Sequence, residues 1–324
     1  MEVDSEDEIT LNVHEDWTSD SEGAVCARRA RESDERARDA TKKNTARDAD
    51  AFSARPATPE RASGDENGTN ALMTYCLPLP NGLGTLDVAQ VGKSELGTVV
   101  WNAALALCET LRSGATAGRH ALGRDVQGRD VLEIGAGCGT CGFYASALGA
   151  REVTIADCGP ATMANLERTL AAYRVVAPER AGAVKLRRHL WEEDHEILVA
   201  RSLGEAPRRV RHWSNIEGVG SCPTIDPEAT FDVVVGSDLL YFASQEDSLL
   251  AALRLRLRLD GTCIIVQTLR NNNAEVFARF IAGARTHFAV QVESVSLPSG
   301  FPTAKETPHA LLNDPYRLII LHRL

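Results

Sequence analysis

A chain of 324 residues with 45 acidic and 35 basic side chains has a formal net charge of −10, and 44 % of its residues are hydrophobic. That is enough apolar material for one or two cored domains, and the acidic balance excludes a dominant basic field of the kind that holds nucleic acid. No apolar run reaches the roughly 20 residues of a bilayer span, and no basic flank leads into an apolar core as in a secretory leader.

The charge is unevenly spread. Residues 1–70 hold 18 acids against 10 bases, a net of −8, and the remaining 254 residues a net of −2. The first segment is rich in Ala, Ser, Asp and Arg, with few large apolar residues beyond Ile9, Leu11, Trp17 and Phe52. It cannot bury enough surface to offset its ordering entropy, so residues 1–70 are expected to be a disordered acidic tail and 71–324 the folded domain. Nine acids and no Lys or Arg in the first 22 residues argue against an organellar presequence. The eight cysteines lack the dense spacing of a disulfide scaffold, so a soluble protein of the cytoplasm, or also the nucleus, is expected.

From Leu72 the pattern is that of a folded domain. Val100, Ala104, Leu107, Cys108 and Leu111 form a helical stripe within residues 98–112. Residues 130–134 are a short apolar run that suits a buried parallel strand. A helix over 143–148, a strand over 152–156 ending on Asp157, and a helix opened by Pro160 and running to 172 follow. Residues 183–190 and 231–236 read as the third and fourth strands, with an insertion or elaborated region over about 192–230 between them. The Leu-rich stretch 249–259 fits a helix, since Asp260-Gly261 makes a turn before an evident strand at 262–268. A helix over 273–284 precedes two strands, 288–295 and 316–321, with no helical pattern between them, so they can pair antiparallel. The alternation predicts an α/β, Rossmann-like, doubly wound sheet, mainly parallel with an antiparallel last strand.

The stretch VLEIGAGCGTCG, residues 131–142, contains two glycine signatures at once. Gly137, Gly139 and Gly142 give the dinucleotide fingerprint G-x-G-x-x-G. Glu133, Gly135, Gly137 and Gly139 give E-x-G-x-G-x-G, the pattern of a nucleoside-binding methyltransferase. Asp157 lies 20 residues after Gly137 and serves the ribose in either reading. Glu133 decides between them, since a carboxylate disfavours a pyrophosphate and favours a cofactor carrying sulfonium and ammonium charges. A second mark is GSDLLY, residues 236–241, which puts a carboxylate and a phenol three residues apart at the end of the fourth strand. The Cys138-x-x-Cys141 pair lacks the further ligands of a zinc set, so no metal is expected.

With these residues on the page, the chain resembles the family 16 protein methyltransferases, the seven-strand class I enzymes that mostly N-methylate lysines of non-histone proteins. The resemblance rests on GTVVW ending at Trp101, the glycine loop, VTIAD ending at Asp157 and the D-x-x-Y of Asp238 and Tyr241, and it covers about 97–324 with a poor match over 192–230. It implies that Glu133, Gly135, Gly137 and Gly139 wrap S-adenosylmethionine and that Asp157 holds its ribose. It further implies that Trp191 flanks the adenine, that Ser237 lies along the methionine part with Trp101 at its edge, and that Asp238 and Tyr241 line the acceptor site. Two departures stand out: Asn102 follows Trp101, and His189-Leu190 precedes Trp191 where the family has Leu-Asp.

The function expected on this basis is N-methylation of a lysine on a partner protein by a monomeric enzyme, with Asp238 orienting the amine and helping to route its proton while the Tyr241 ring walls the channel. Small-molecule N-methylation of the nicotinamide type and a catalytically silent cofactor-binding scaffold remain the alternatives. The basic cluster at 208–213 reads as a solvated loop, and neither a nucleic acid nor a membrane partner is expected.

Overall fold

The computed structural model describes residues 72–91, 96–113, 126–205, 222–241, 245–297, 301 and 311–323. A hairpin of β1 (Leu72–Pro78) and β2 (Thr85–Val91) leads through a 3-10 turn, Leu96–Thr98, to α1 (Asn102–Ser113). The main body is β3 (Asp130–Ile134), α2 (Thr140–Ala147), β4 (Glu152–Asp157), α3 (Pro160–Val176), the short α4 (Pro178–Ala181), β5 (Val184–Arg188) and α5 (Trp191–Leu203). It continues with β6 (Phe231–Ser237), α6 (Glu246–Arg256), β7 (Leu257–Arg270), α7 (Ala274–Ala284), β8 (Phe288–Ser294) and β9 (Leu311–Arg323).

Seven strands form one sheet in the order β5-β4-β3-β6-β7-β9-β8. The first five are parallel, and β9 runs antiparallel to both β7 and β8. This is the α/β, mainly parallel architecture expected, with the antiparallel strand inserted between β7 and β8. The chain winds outward from β3 through β4 to β5, then returns to β6 on the other side of β3. Strand order therefore reverses between β3 and β6, and that is where an open α/β sheet leaves a crevice at its carboxyl edge.

The apolar runs are continuous because both faces of the sheet are covered. Val131, Val233, Val235, Ile264, Val266, Leu318 and Ile320 face the core built with α1, α2, α3 and the hairpin. Their neighbours Leu132, Val234, Cys263, Ile265, Ile319 and Leu321 face the core built with α6 and α7. The period of two thus splits each run between two cores.

The differences from expectation have physical causes. Helix α6 stops at Arg256 and β7 begins at once with Leu257, so the leucine-rich stretch is half helix and half strand. Asp260, at φ 61, and Gly261 do not end a segment but form a bulge, where β7 gains extra residues between the partners of Phe231 and Val233. The antiparallel β1–β2 hairpin is an element beyond those expected. Within the supposed insertion, Trp191–Leu203 is the helix that follows the third parallel strand. The acidic segment 1–70 and the basic cluster 208–213 lie outside the described residues. Among the described residues, no helix is long and apolar enough to cross a membrane.

Candidate active site

A cavity of about 590 Å³ opens at the reversal point, lined from the carboxyl ends of β3, β4, β6 and β7 and the segment after β5. Its size is that of a site for a nucleoside-sized ligand. Its floor is the glycine loop between β3 and α2. Gly135 and Gly137 line it at φ 57 and 55. A Cβ on Gly135 would come within 2.9 Å of Trp191 Cζ2 and Leu239 Cδ2, so the loop leaves the cavity open only because that atom is missing.

Glu133 and Gly139 belong to the same motif but sit behind the loop rather than among the cavity residues. Glu133 is buried, and its two carboxylate oxygens accept from the backbone N–H groups of Cys141 (3.1 Å) and Gly142 (2.8 Å). Burial pushes its carboxyl up to about 8, against the opposing pull of those two hydrogen bonds. The close approach needs Gly142, where a Cβ would meet Glu133 Oε2 at 2.6 Å. Gly139 is the left-handed N-cap of α2, and a Cβ there would meet Leu166 Cδ2 at 2.6 Å, in the core. The two amides at the start of α2 that could cradle a pyrophosphate are therefore already taken by the Glu133 side chain. Because burial keeps Glu133 protonated at neutral pH, it opposes a pyrophosphate by occupying these amides rather than by its charge, and it acts on the loop and not as a cavity wall.

Asp157 closes β4 and lines the cavity. Its Oδ2 accepts from Gly137 N at 2.9 Å, and its Oδ1 from Cys158 N at 2.7 Å and Gly159 N at 3.2 Å. The acid thus ties the glycine loop to the end of the neighbouring strand. Beside it, His189 N donates to the Asp157 carbonyl at 3.0 Å, and Trp191 opens α5 with its ring against Gly135. Trp101, half-buried before α1, also faces the cavity.

Ser237, Asp238 and Tyr241 bring the end of β6 to the other side, separated from Asp157 by β3. Asp238 has φ 53, a left-handed backbone in a non-glycine residue. Its carboxylate is forked with Arg270, Nη2 to Oδ2 at 2.6 Å and Nη1 to Oδ1 at 2.9 Å, and Oδ1 also accepts from Gln267 Nε2 at 3.0 Å. Tyr241 is 39 % exposed at the mouth. Burial, then Asp157 and Cys158, raise its phenol above the ordinary value while Gln245 opposes this, so it carries its proton at neutral pH. Cys138 also lines the cavity, and burial, with Glu133 and Asp157 adding to it, raises its thiol.

Of the residues that the resemblance assigns to the cofactor and acceptor sites, all except Glu133 and Gly139 line this one cavity. Not expected from the sequence were Arg270, which converts Asp238 from a lone carboxylate into half of an ion pair, Gln267, which donates to Asp238, and Asn273, which accepts from Arg270 N at 2.8 Å and donates to the Leu240 carbonyl at 2.9 Å. A signal was available: Arg270 ends an apolar strand at the sheet's carboxyl edge, where a charge is costly unless it has work to do.

The cavity carries the carboxylates Asp157, Glu192 and Asp238 and one guanidinium, Arg270. Its acidic balance, the glycine cradle and the occupied α2 amides leave no place for a pyrophosphate and fit a nucleoside with cationic sulfonium and ammonium groups. The fold and the site define a class I methyltransferase that uses S-adenosylmethionine.

Residues 83–202 match the profile of methyltransferase family 16, described as "Lysine methyltransferase", in keeping with the resemblance read from the sequence. The chain is similar to Protein N-lysine methyltransferase METTL21A of Danio rerio, 27 % identical over 197 residues, covering 60 % of this chain and 70 % of that one. The protein of the same name in Xenopus tropicalis is 25 % identical over 205 residues, covering 59 % and 74 %. Among solved structures, a putative SAM-dependent methyltransferase from Streptococcus mutans superposes with a TM-score of 0.45 at 15 % identity, over 77 % of this chain and 55 % of the other. A putative RNA methyltransferase from Pyrococcus horikoshii gives 0.42 at 16 %, over 72 % and 92 %.

Proposed function

We propose that the chain N-methylates a lysine side chain of a partner protein. The observation that carries the reading is the open end of the cavity, where Asp238 and the exposed Tyr241 stand beyond the glycine loop. A long, unbranched side chain offered from a protein surface fits such a mouth. The lysine description of the matching family and the names of the two curated relatives support the same acceptor class.

When bound, S-adenosylmethionine supplies a methyl group on a sulfonium, a carbon electrophile that needs no covalent enzyme intermediate. Gly135 and Gly137 would let it approach the loop backbone, Asp157 would accept from its ribose hydroxyls, and Trp191 would flank its base. Ser237 and Trp101 would border its amino-acid part. The chain's own contribution to rate is then orientation, which can be worth ~7 to 11 kcal/mol. Asp238 Oδ2, which accepts from Arg270 Nη2, has capacity for a further donor and would orient the amine. The proton leaves through the mouth beside Tyr241, whose ring walls the channel.

Labelled S-adenosylmethionine, the purified chain and a cell lysate test this reading, with the products divided into protein and small-molecule fractions and the protein hydrolysed to amino acids. Label in methyllysine supports it. Label confined to small molecules would move the acceptor to the nicotinamide type, and no label with intact cofactor binding would leave a silent scaffold.

A further inference from the structure

The β1–β2 hairpin stands apart from the seven-strand sheet, yet Leu77, Leu86 and Val88 bury it in the same core as α1, α2 and α3. Two further bonds pin it there. At its turn Asn81 Nδ2 donates to the Ala147 carbonyl at the end of α2 (3.0 Å), and along β2 Ala89 N donates to Thr169 Oγ1 on α3 (3.0 Å). The last two residues of β2 then hold a segment that comes later in the chain. Val100 N donates to Gln90 Oε1 at 2.8 Å, and Thr98 Oγ1 donates to the Val91 carbonyl at 3.0 Å.

The segment so fastened is a wall of the cavity, which Gly97, Val99, Val100 and Trp101 line. It lies directly against the glycine loop, since a Cβ on Gly137 would come within 3.1 Å of the Gly97 carbonyl oxygen. It also lies against α3, where a Cβ on Gly97 would come within 2.9 Å of Thr162 Oγ1. Val100 is 1 % exposed, so without Gln90 its amide finds water only if the wall moves outward. A ligand that needs the wall in place must then draw it back, and the affinity falls by the fraction of molecules in which the wall is closed. The bond from Thr98 ends on a main-chain carbonyl that any residue at position 91 supplies, so the part of the fastening that depends on a β2 side chain is Gln90.

We infer that the hairpin is part of the cofactor-binding machinery and that Gln90 is its positioning residue, holding the 97–101 wall against the glycine loop through Val100 N so that cofactor affinity depends on this bond. The inference rests on the S-adenosylmethionine reading of the cavity. Gln90 is not among the residues that line the cavity, so it acts through the wall and not by touching the cofactor.

Calorimetric titration of the full chain with S-adenosylhomocysteine, in native, Gln90→Leu and Gln90→Glu forms, tests this. Gln90→Leu removes the acceptor and should weaken binding about tenfold or more per folded molecule. Gln90→Glu keeps an oxygen for Val100 N and should stay within about threefold of the native chain. Should the leucine variant not fold, hydrogen exchange of the native chain supplies a second measurement: saturation with S-adenosylhomocysteine should slow exchange of the amides over 97–101. A leucine variant that binds as tightly as the native chain, a glutamate variant as weak as the leucine one, or exchange over 97–101 unchanged by the ligand overturns the inference while leaving the cofactor reading intact. Failure of the native chain to bind S-adenosylhomocysteine at all overturns both.

Discussion

Replacing Arg270 by Met should cost the native state about 3 kcal/mol, and the figure can be worked from its surroundings. The side chains of Arg270 and Asp238 are 5 % and 9 % exposed, so removing the guanidinium leaves a nearly buried carboxylate without its fork. Breaking a buried pair from one side typically costs ~3 to 5 kcal/mol. The lower end applies here because Gln267 Nε2 at 3.0 Å and Thr268 N at 3.4 Å still donate to Asp238 Oδ1. Neutralising the partner as well, in Arg270→Met with Asp238→Asn, removes the stranded charge and should recover about 1 to 2 kcal/mol, a coupling that a double-mutant cycle isolates. Urea unfolding of the native chain, both single variants and the double variant reads these energies, provided the m-values agree. An Arg270→Met protein within about 0.5 kcal/mol of the parent, or strictly additive effects, would refute the view that this pair holds the left-handed Asp238 in place.

Three further expectations follow from the loop. In Glu133 the folded-state carboxyl, at about 8, lies above its ordinary 4.5, so its contribution is fully present below pH 4.5 and is lost as pH rises through 8, by about 5 kcal/mol at most. Glu133→Gln lacks that slope, and the stability difference between native and variant should shrink steadily from pH 5 to 8.5; a constant difference would show the group ionised throughout. Gly139→Ala puts a Cβ 2.6 Å from Leu166 Cδ2 at φ 74, so thermal or urea unfolding should show a loss of about 2 kcal/mol or more, with S-adenosylhomocysteine affinity per folded molecule unchanged. Asp157→Asn turns an amide N–H group toward either Gly137 N or the Cys158 and Gly159 amides and weakens the acceptor offered to a ribose, so calorimetry should show S-adenosylhomocysteine bound about 10- to 100-fold more weakly. Undiminished binding would remove Asp157 from the site.

The sheet was legible because its strands are short apolar runs ended by residues with special work, Ile134 before the glycines, Asp157 after VTIA and Ser237-Asp238 after VVVG. Their alternate burial in two cores leaves an unbroken apolar pattern that few other structures produce. The hairpin was not legible in that way. Its turn around Asn81 and Gly82, both at positive φ, is a local signal, but its strands bury only part of one face, so Leu77, Leu86 and Val88 are diluted among polar neighbours. The boundary between α6 and β7 was ambiguous for a related reason, since alternating Leu and Arg satisfies either period until the bulge at Asp260-Gly261 is known.

At the site, residue identity and direction of action separated. The motif located Glu133 and Gly139 correctly in the loop, but whether a side chain faces the ligand or the helix behind it depends on strand parity and on Gly142. Arg270 was hidden because it acts through a partner far away in sequence, Asp238. A pairing of this kind is set by the order of the strands, which no local window contains.

Competition between S-adenosylhomocysteine and NADH for the purified chain, followed by calorimetry, tests most directly whether the loop serves a sulfonium-bearing nucleoside and not a dinucleotide. The structure predicts one site for S-adenosylhomocysteine and no displacement by NADH, since Glu133 occupies the amides of Cys141 and Gly142 that a pyrophosphate would need. NADH binding that displaces S-adenosylhomocysteine, or that occurs in its place, would contradict the account.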